Sequence, residues 1–250
     1  MLEAIRSGGT KPPFFMVHGL HGVMPLGPVL ETALDRDRPI YAVHAPGIVG
    51  AEPPQERIED MLRGYLAEIR KARAVGPYVL GGICAGGLVA MALARALTAE
   101  GERVGTVILV DPPYVPHSLH PNNRALNPKA DRRVYQVAYA DVEQVLRGYA
   151  ARFHLPFETN DAAQLRQAVE VGIAMVVAFC QYVPPRFEGP TEFIISAERA
   201  IAHFHPDSPW KEIVAQPGPV HVLPGRHQDL YREHLDHTLG LVRFALDAAL

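Results

Sequence analysis

The chain has 250 residues, 48% of them hydrophobic, which suffices for one large core and does not require a second domain. A formal net charge of -3, with no run of like charges and no basic stripe, argues against a nucleic-acid partner or a membrane surface. Two cysteines can form at most one bridge, the opening residues lack the apolar stretch of a signal peptide, and no segment approaches the length and continuous apolarity of a membrane span, so the expected location is the cytoplasm.

Residues 1–11, polar and glycine-containing, read as a linker. Pro13-Phe14-Phe15-Met16-Val17 follows as a first strand without polar alternation, hence buried on both faces, and runs into His18-Gly19-Leu20-His21-Gly22. In that turn His21 reads as loop polarity and His18 as a structural residue. Residues 26–35 predict a short helix, and Ile40-Tyr41-Ala42-Val43 the next strand, closing on Pro46-Gly47. Residues 56–74 carry Ile58, Met61, Leu62, Tyr65, Leu66 and Ile69 at the spacing of one helical face.

Residues 78–92 combine a buried strand, a glycine-cornered turn and the start of a helix, with Cys84 at the corner. The frame Gly82-Ile83-Cys84-Ala85-Gly86 is the nucleophile-elbow pattern G-x-S-x-G with sulfur in place of the hydroxyl oxygen. A sharp strand-to-helix turn leaves no room for Cβ atoms on either side, so the glycines are a steric requirement. The corner lies at the amino end of the helix expected over 85–99, whose first-turn N–H groups and dipole favour a thiolate and a developing oxyanion. The competing reading is a small-residue turn around a buried structural cysteine.

Glu100-Gly101-Glu102 stops that helix, and Val104-Gly105-Thr106-Val107-Ile108-Leu109-Val110 is another apolar strand. Strand and helix therefore alternate, which predicts a mainly parallel sheet covered by helices on both faces. Asp111 follows that strand directly. It shares the carboxyl edge of the sheet with Cys84 one strand away, unless it only caps its loop, as aspartate before proline often does. Residues 112–188 break the alternation: rich in histidine, asparagine and proline at first, then helical over 141–153 and 161–182, they read as a helical lid over the elbow. Cys180, on the apolar second helix, reads as a packing residue. The sheet resumes at Thr191-Glu192-Phe193-Ile194-Ile195-Ser196 and Val220-His221-Val222-Leu223, after which His227 sits on a loop before the final helix. His203 and His205 form an H-x-H that no cysteine or acidic cluster completes, so no metal is expected.

These residues together resemble the thioesterase family of the α/β hydrolases, the domains that end polyketide and nonribosomal-peptide assembly lines. The resemblance covers nearly all of residues 1–250, read as a single domain: Phe15-Met16-Val17-His18-Gly19, the elbow, Leu109-Val110-Asp111, the lid, Trp210 before the last strand, and Gly225-Arg226-His227. It implies a triad of Cys84, Asp111 and His227, with the N–H groups of Leu20 and Ala85 as oxyanion donors. Glu198, in Ser196-Ala197-Glu198, is the runner-up acid, since stand-alone editing relatives often take theirs from the following strand. Most relatives carry serine where this chain has Cys84. Cysteine also occurs in dienelactone-hydrolase-like enzymes, which usually lack so long a lid. The implied reaction is release of an acyl or peptidyl chain from the phosphopantetheine of a carrier protein, with no bound cofactor, by cyclisation or by plain hydrolysis. Met175 and Val176 are expected to line the acyl chamber. A non-catalytic carrier-binding domain is the rival from another class.

Overall fold

Short apolar runs such as Phe14–Val17 and Ile40–Val43 suit strands covered on both faces, and these two are fully buried strands. A computed structural model of the chain describes residues 1–50, 52–113, 132–203 and 210–249. In order, the elements are β1 (Leu2–Arg6), β2 (Phe14–Val17), α1 (Gly27–Ala33), β3 (Ile40–Val43), α2 (Ile58–Ala72), β4 (Tyr78–Ile83), α3 (Gly86–Ala99) and β5 (Val104–Val110). Then come α4 (Arg132–Ala150), α5 (Ala162–Gln181), β6 (Thr191–Ser196), α6 (Ala197–His203), α7 (Trp210–Ile213), β7 (Pro217–Leu223) and α8 (Leu235–Ala248), with a 3-10 turn at His227–Tyr231 before the last.

The strands form a seven-stranded sheet in the order β1-β3-β2-β4-β5-β6-β7. Only β1 runs antiparallel, against β3; every other pairing is parallel. Alternate residues of each strand serve opposite faces. Phe15, Val17 and Leu80 join one apolar cluster with α2, α3 and α5, whereas Phe14, Met16 and Val79 join a second with α1 and α8. A large side chain buried in this way contributes about 1.5–3 kcal/mol. This mostly parallel sheet flanked by helices is the α/β-hydrolase arrangement.

Three expectations need correction. Residues 2–6 are no linker but the edge strand β1; its side chains are half-buried or exposed, so it lacks the apolar run that marks the inner strands. The strand expected at 220–223 begins at Pro217, because an edge strand with no partner beyond it tolerates prolines. Gly218 fits there since a Cβ would lie 2.0 Å from the Thr191 carbonyl oxygen. The third concerns α5, which does reach the length and mean apolarity of a membrane-crossing helix. Leu165, Val169, Met175 and Phe179 are nevertheless buried in the main cluster, and the Asp161 carboxylate caps the helix by accepting from the Ala163 and Gln164 N–H groups.

Between β5 and β6, α4 and α5 pack against each other where the helical lid is expected. Residues 114–131 of the expected lid lie outside the described residues, as do the side chains of Cys180 and His203 and all of His205. Trp210 is buried edge-on against Phe193 at 5.6 Å.

Candidate active site

The site assembles at the carboxyl ends of β4, β5, β6 and β7. Cys84 follows β4 with φ of 49°, a left-handed conformation that a non-glycine residue adopts only at some cost. Its N–H donates to the Val110 carbonyl at 2.8 Å and its carbonyl accepts from the Gly87 N–H at 3.1 Å, which fixes the corner. The flanking glycines are set by backbone contact: a Cβ on Gly82 would lie 2.2 Å from the Gly86 carbonyl, and one on Gly86 would lie 2.1 Å from the His18 carbonyl oxygen.

Asp111, fully buried, holds a second positive φ of 46° at the end of the adjacent strand. Its N–H donates to the Ile194 carbonyl at 2.7 Å. Its Oδ1 accepts from the Ser196 N–H at 2.7 Å, and its Oδ2 accepts from His227 Nδ1 at 2.5 Å. His227 opens the 3-10 turn, whose start is tied by Asp229 accepting from the Arg226 N–H at 2.7 Å. Nδ1 being engaged, Nε2 is the nitrogen left for sulfur. Glu198 is exposed and meets the site only through its backbone, so Asp111 and not Glu198 orients the imidazole.

Burial pushes the Cys84 thiol up, but the His227 imidazole and the Arg199 guanidinium more than offset it, and its pKa falls to about 7. Burial pushes His227 down, yet Asp111 and the Cys84 sulfur raise it to about 9. The Asp111 carboxyl, against its own burial, is held below the usual range by His227, Arg199 and the Ser196 N–H. The opposite directions of the two shifts favour thiolate and imidazolium over thiol and neutral imidazole.

Sequence reasoning misses Arg199. Its Nη1 and Nη2 lie 3.8 and 4.0 Å from Cys84 Sγ, and Nη1 also donates to the Asp111 carbonyl. It arrives on α6, a seven-residue helix with no amphipathic signature. The one usable signal is its place just past the carboxyl end of β6, on the edge that already carries Cys84 and Asp111.

Among the described residues, neither His18 nor His21 is hydrogen-bonded to Cys84, Asp111 or His227. His18 is fully buried, with Nδ1 2.7 Å from the Gly19 carbonyl, which can only accept; Nε2 therefore accepts from the Tyr65 hydroxyl, also at 2.7 Å. Burial pushes both His18 and His21 to about 4, so they are neutral. Leu20 lies in the turn after β2 and Ala85 at the head of α3; among the described residues neither N–H has an acceptor.

A cavity of about 210 Å³ opens on Cys84 and His227, walled by Leu26, Ile83, Tyr149, Phe153, Tyr231 and Arg199. A second of about 400 Å³ shares Tyr149, Phe153, Tyr231 and His227 and runs along α4. Neither contains Met175 or Val176. Met175 is fully buried in the main cluster beside Gly22 and Val176 is half-buried, because α5 is apolar through packing on the core; α4 and the residues after it supply the wall instead.

Residues 12–245 match the family described as thioesterase domain. Over 124 residues the chain is 33% identical to malpinin synthetase of Mortierella alpina, and over 111 residues 36% identical to the dimodular nonribosomal peptide synthase of Bacillus subtilis (strain 168). These stretches cover 50% and 44% of this chain but only 2% and 5% of those proteins, so the chain spans a small part of their length. Among solved structures, the thioesterase domain of NocB from the nocardicin cluster superposes with a TM-score of 0.71 at 22% identity, covering 98% of each chain. The type II thioesterase BorB from the borrelidin cluster gives 0.67 at 19% identity, covering 98% of this chain and 96% of that one. Both likenesses are in the fold.

Proposed function

The chain belongs to the thioesterase family, and from that premise we propose that it releases an acyl or peptidyl chain from a carrier-protein phosphopantetheine thioester through an acyl-Cys84 intermediate. The observation that carries this reading is the triad geometry: Cys84 on its strained corner beside an imidazole that Asp111 fixes at 2.5 Å. The curated relatives, multidomain synthetases of which this chain matches a small part, support a substrate borne on a carrier. We read 1–250 as one domain working in the cytoplasm.

The thiolate attacks the thioester carbonyl, and the oxyanion forms against the Leu20 and Ala85 N–H groups. Collapse breaks the pantetheine carbon–sulfur bond, and the departing sulfur takes the proton from His227 Nε2. The neutral imidazole then accepts a proton from the releasing nucleophile, whether water or an amine or hydroxyl of the chain itself. The second tetrahedral intermediate expels Cys84 as thiolate beside the imidazolium already formed. Asp111 keeps the proton on Nδ1 and stabilises the cation throughout.

Sulfur favours cyclisation or aminolysis, with hydrolysis as the side reaction. Transfer from pantetheine to serine would go downhill from thioester to ester, whereas transfer to Cys84 exchanges one thioester for another and keeps the acyl group activated. Thiolate also leaves more readily than alkoxide, which helps a weak amine or a strained ring closure. The walls of Leu26, Ile83 and Phe153 limit water near the intermediate.

Mass spectrometry of the protein incubated with carrier-bound acyl chains should show a Cys84 adduct and a released product lighter than the free acid by one water. Cys84→Ser should still acylate but release more free acid or stall. No adduct on Cys84 overturns the mechanism. A parent that yields only free acid, or a serine variant that cyclises equally well, makes hydrolytic release the better reading.

A further inference from the structure

We infer that Arg199 is a second cation of the catalytic centre, holding the Cys84 sulfur as an anion at rest and again as it leaves the acyl group. The inference rests on the reading of Cys84 as nucleophile. Both terminal nitrogens of Arg199 face Sγ, at 3.8 and 4.0 Å. The guanidinium is pinned by the Asp111 carbonyl and lies 3.5 Å from Asp111 Oδ2, with 21% of its side chain exposed. It is therefore positioned by the backbone of the acid and spans both anions of the triad.

A serine nucleophile is neutral at rest and has little to gain from a fixed cation. A sulfur nucleophile rests as an anion and leaves as one, and arginine stays charged over the whole working range. In the acylation step the sulfur–carbonyl bond forms, the pantetheine carbon–sulfur bond breaks, and the His227 proton goes to the departing sulfur. In release, the incoming O–H or N–H gives its proton to His227 as its own bond to the carbonyl forms. When the bond to Cys84 then breaks, the electron pair returns to a sulfur facing Arg199 and needs no proton. Arg199 also balances the Asp111 carboxylate while the imidazole is neutral.

Among the described residues, the other titratable groups lining the Cys84 cavity supply no competing charge. Tyr149 of α4 and Tyr231 of the 3-10 turn are raised by burial and by the sulfur itself, Tyr149 to about 12, so both stay protonated. His21, after β2, stays neutral through burial and the nearby His227. Among the described residues, the cations facing Sγ are His227 and Arg199.

The test is the rate of Cys84 alkylation by iodoacetamide, mapped by peptide, from about pH 5 to about pH 10 for the parent, Arg199→Met and Arg199→Lys. Arg199→Met should move the midpoint up by about one pH unit and slow alkylation about tenfold near pH 6.5, with rates converging at the alkaline end. Arg199→Lys should recover most of the shift. With an acyl-N-acetylcysteamine thioester, kcat should fall in Arg199→Met with KM little changed. Arg199→Gln replaces Arg199→Met if the latter does not fold. An unshifted midpoint in a folded neutral variant, or equal shifts for methionine and lysine, overturns the inference and leaves the nucleophile in place. A parent midpoint no lower than that of a free thiol overturns the nucleophile itself.

Discussion

Asp111→Asn is the sharpest test of the site, because the buried carboxylate accepts from two N–H groups at once, Ser196 N at 2.7 Å and His227 Nδ1 at 2.5 Å. An amide can accept at one of these positions but must donate at the other. If its oxygen stays on Ser196, its NH2 faces Nδ1 and forces the imidazole into the tautomer with the proton on Nε2, which cannot accept from thiol, amine or water. The opposite orientation leaves the buried Ser196 N–H without a partner, at about 1–3 kcal/mol. That bias confines the productive tautomer to roughly one molecule in five to one in a hundred and fifty. Loss of the carboxylate charge also lowers His227 from about 9 towards its ordinary range and weakens the ion pair with Cys84. Each unit of that fall costs about tenfold more, so release should drop by about 10²–10⁴. The assay is single-turnover release from an acyl-N-acetylcysteamine thioester, with a thermal melt to confirm folding. Glu198→Gln, exposed and away from the ring, should stay within about twofold of the parent. A folded Asp111→Asn retaining a fifth or more of the parent rate would refute the orientation argument.

Gly86→Ala should cost at least about 3 kcal/mol, or about 6–12 °C of melting temperature, since its Cβ would meet the His18 carbonyl oxygen at 2.1 Å. Gly240→Ala on α8 meets nothing within 4 Å and should stabilise by about 0.5–1 kcal/mol; a lower melting temperature would mean that this face of α8 is not open. Phe153→Ala should broaden the chain lengths accepted with little change in melting, whereas Met175→Ala should destabilise by about 2–5 kcal/mol and leave chain-length preference alone. His18 and His21, lowered to about 4, bind fewer protons folded than unfolded between about pH 6.5 and 4, so stability should fall with pH across that window by up to about 1.4 kcal/mol per unit for each. His18→Gln should flatten that slope in pH-dependent denaturant titrations; an unchanged slope would mean His18 titrates normally.

The convergence of Cys84, Asp111 and His227 is readable in the sequence because each stands just past a strand, where chain order and sheet edge agree: Cys84 after β4, Asp111 after β5, His227 after β7. Most inner strands announce themselves through runs of apolar residues, as Phe14–Val17 and Ile40–Val43 do. The edge strands β1 and β7 do not, since exposure removes the apolar signal and prolines disguise Pro217–Leu223. The chamber wall is hidden for a related reason. Apolarity in α5 records that the helix is buried without recording what buries it, and Met175 faces other side chains rather than space. Arg199 carries no local pattern at all; only the fold brings α6 over the sulfur.

The two left-handed corners at Cys84 and Asp111 stand one residue beyond Ile83 and Val110, which are partners across β4 and β5. The distance between Cys84 and Asp111 is thus ruled by hydrogen-bond register, a quantity that changes only in whole residues. A point substitution at either corner alters an atom and leaves the ruler intact, whereas inserting or deleting one residue in the uninterrupted stretch that pairs Leu80–Ile83 with Val107–Val110 would carry one corner past the other and turn its neighbours to the opposite face. Variation at such a pair is therefore quantised: an atom at either corner can be exchanged without moving the corner, while a residue gained or lost beside it cannot.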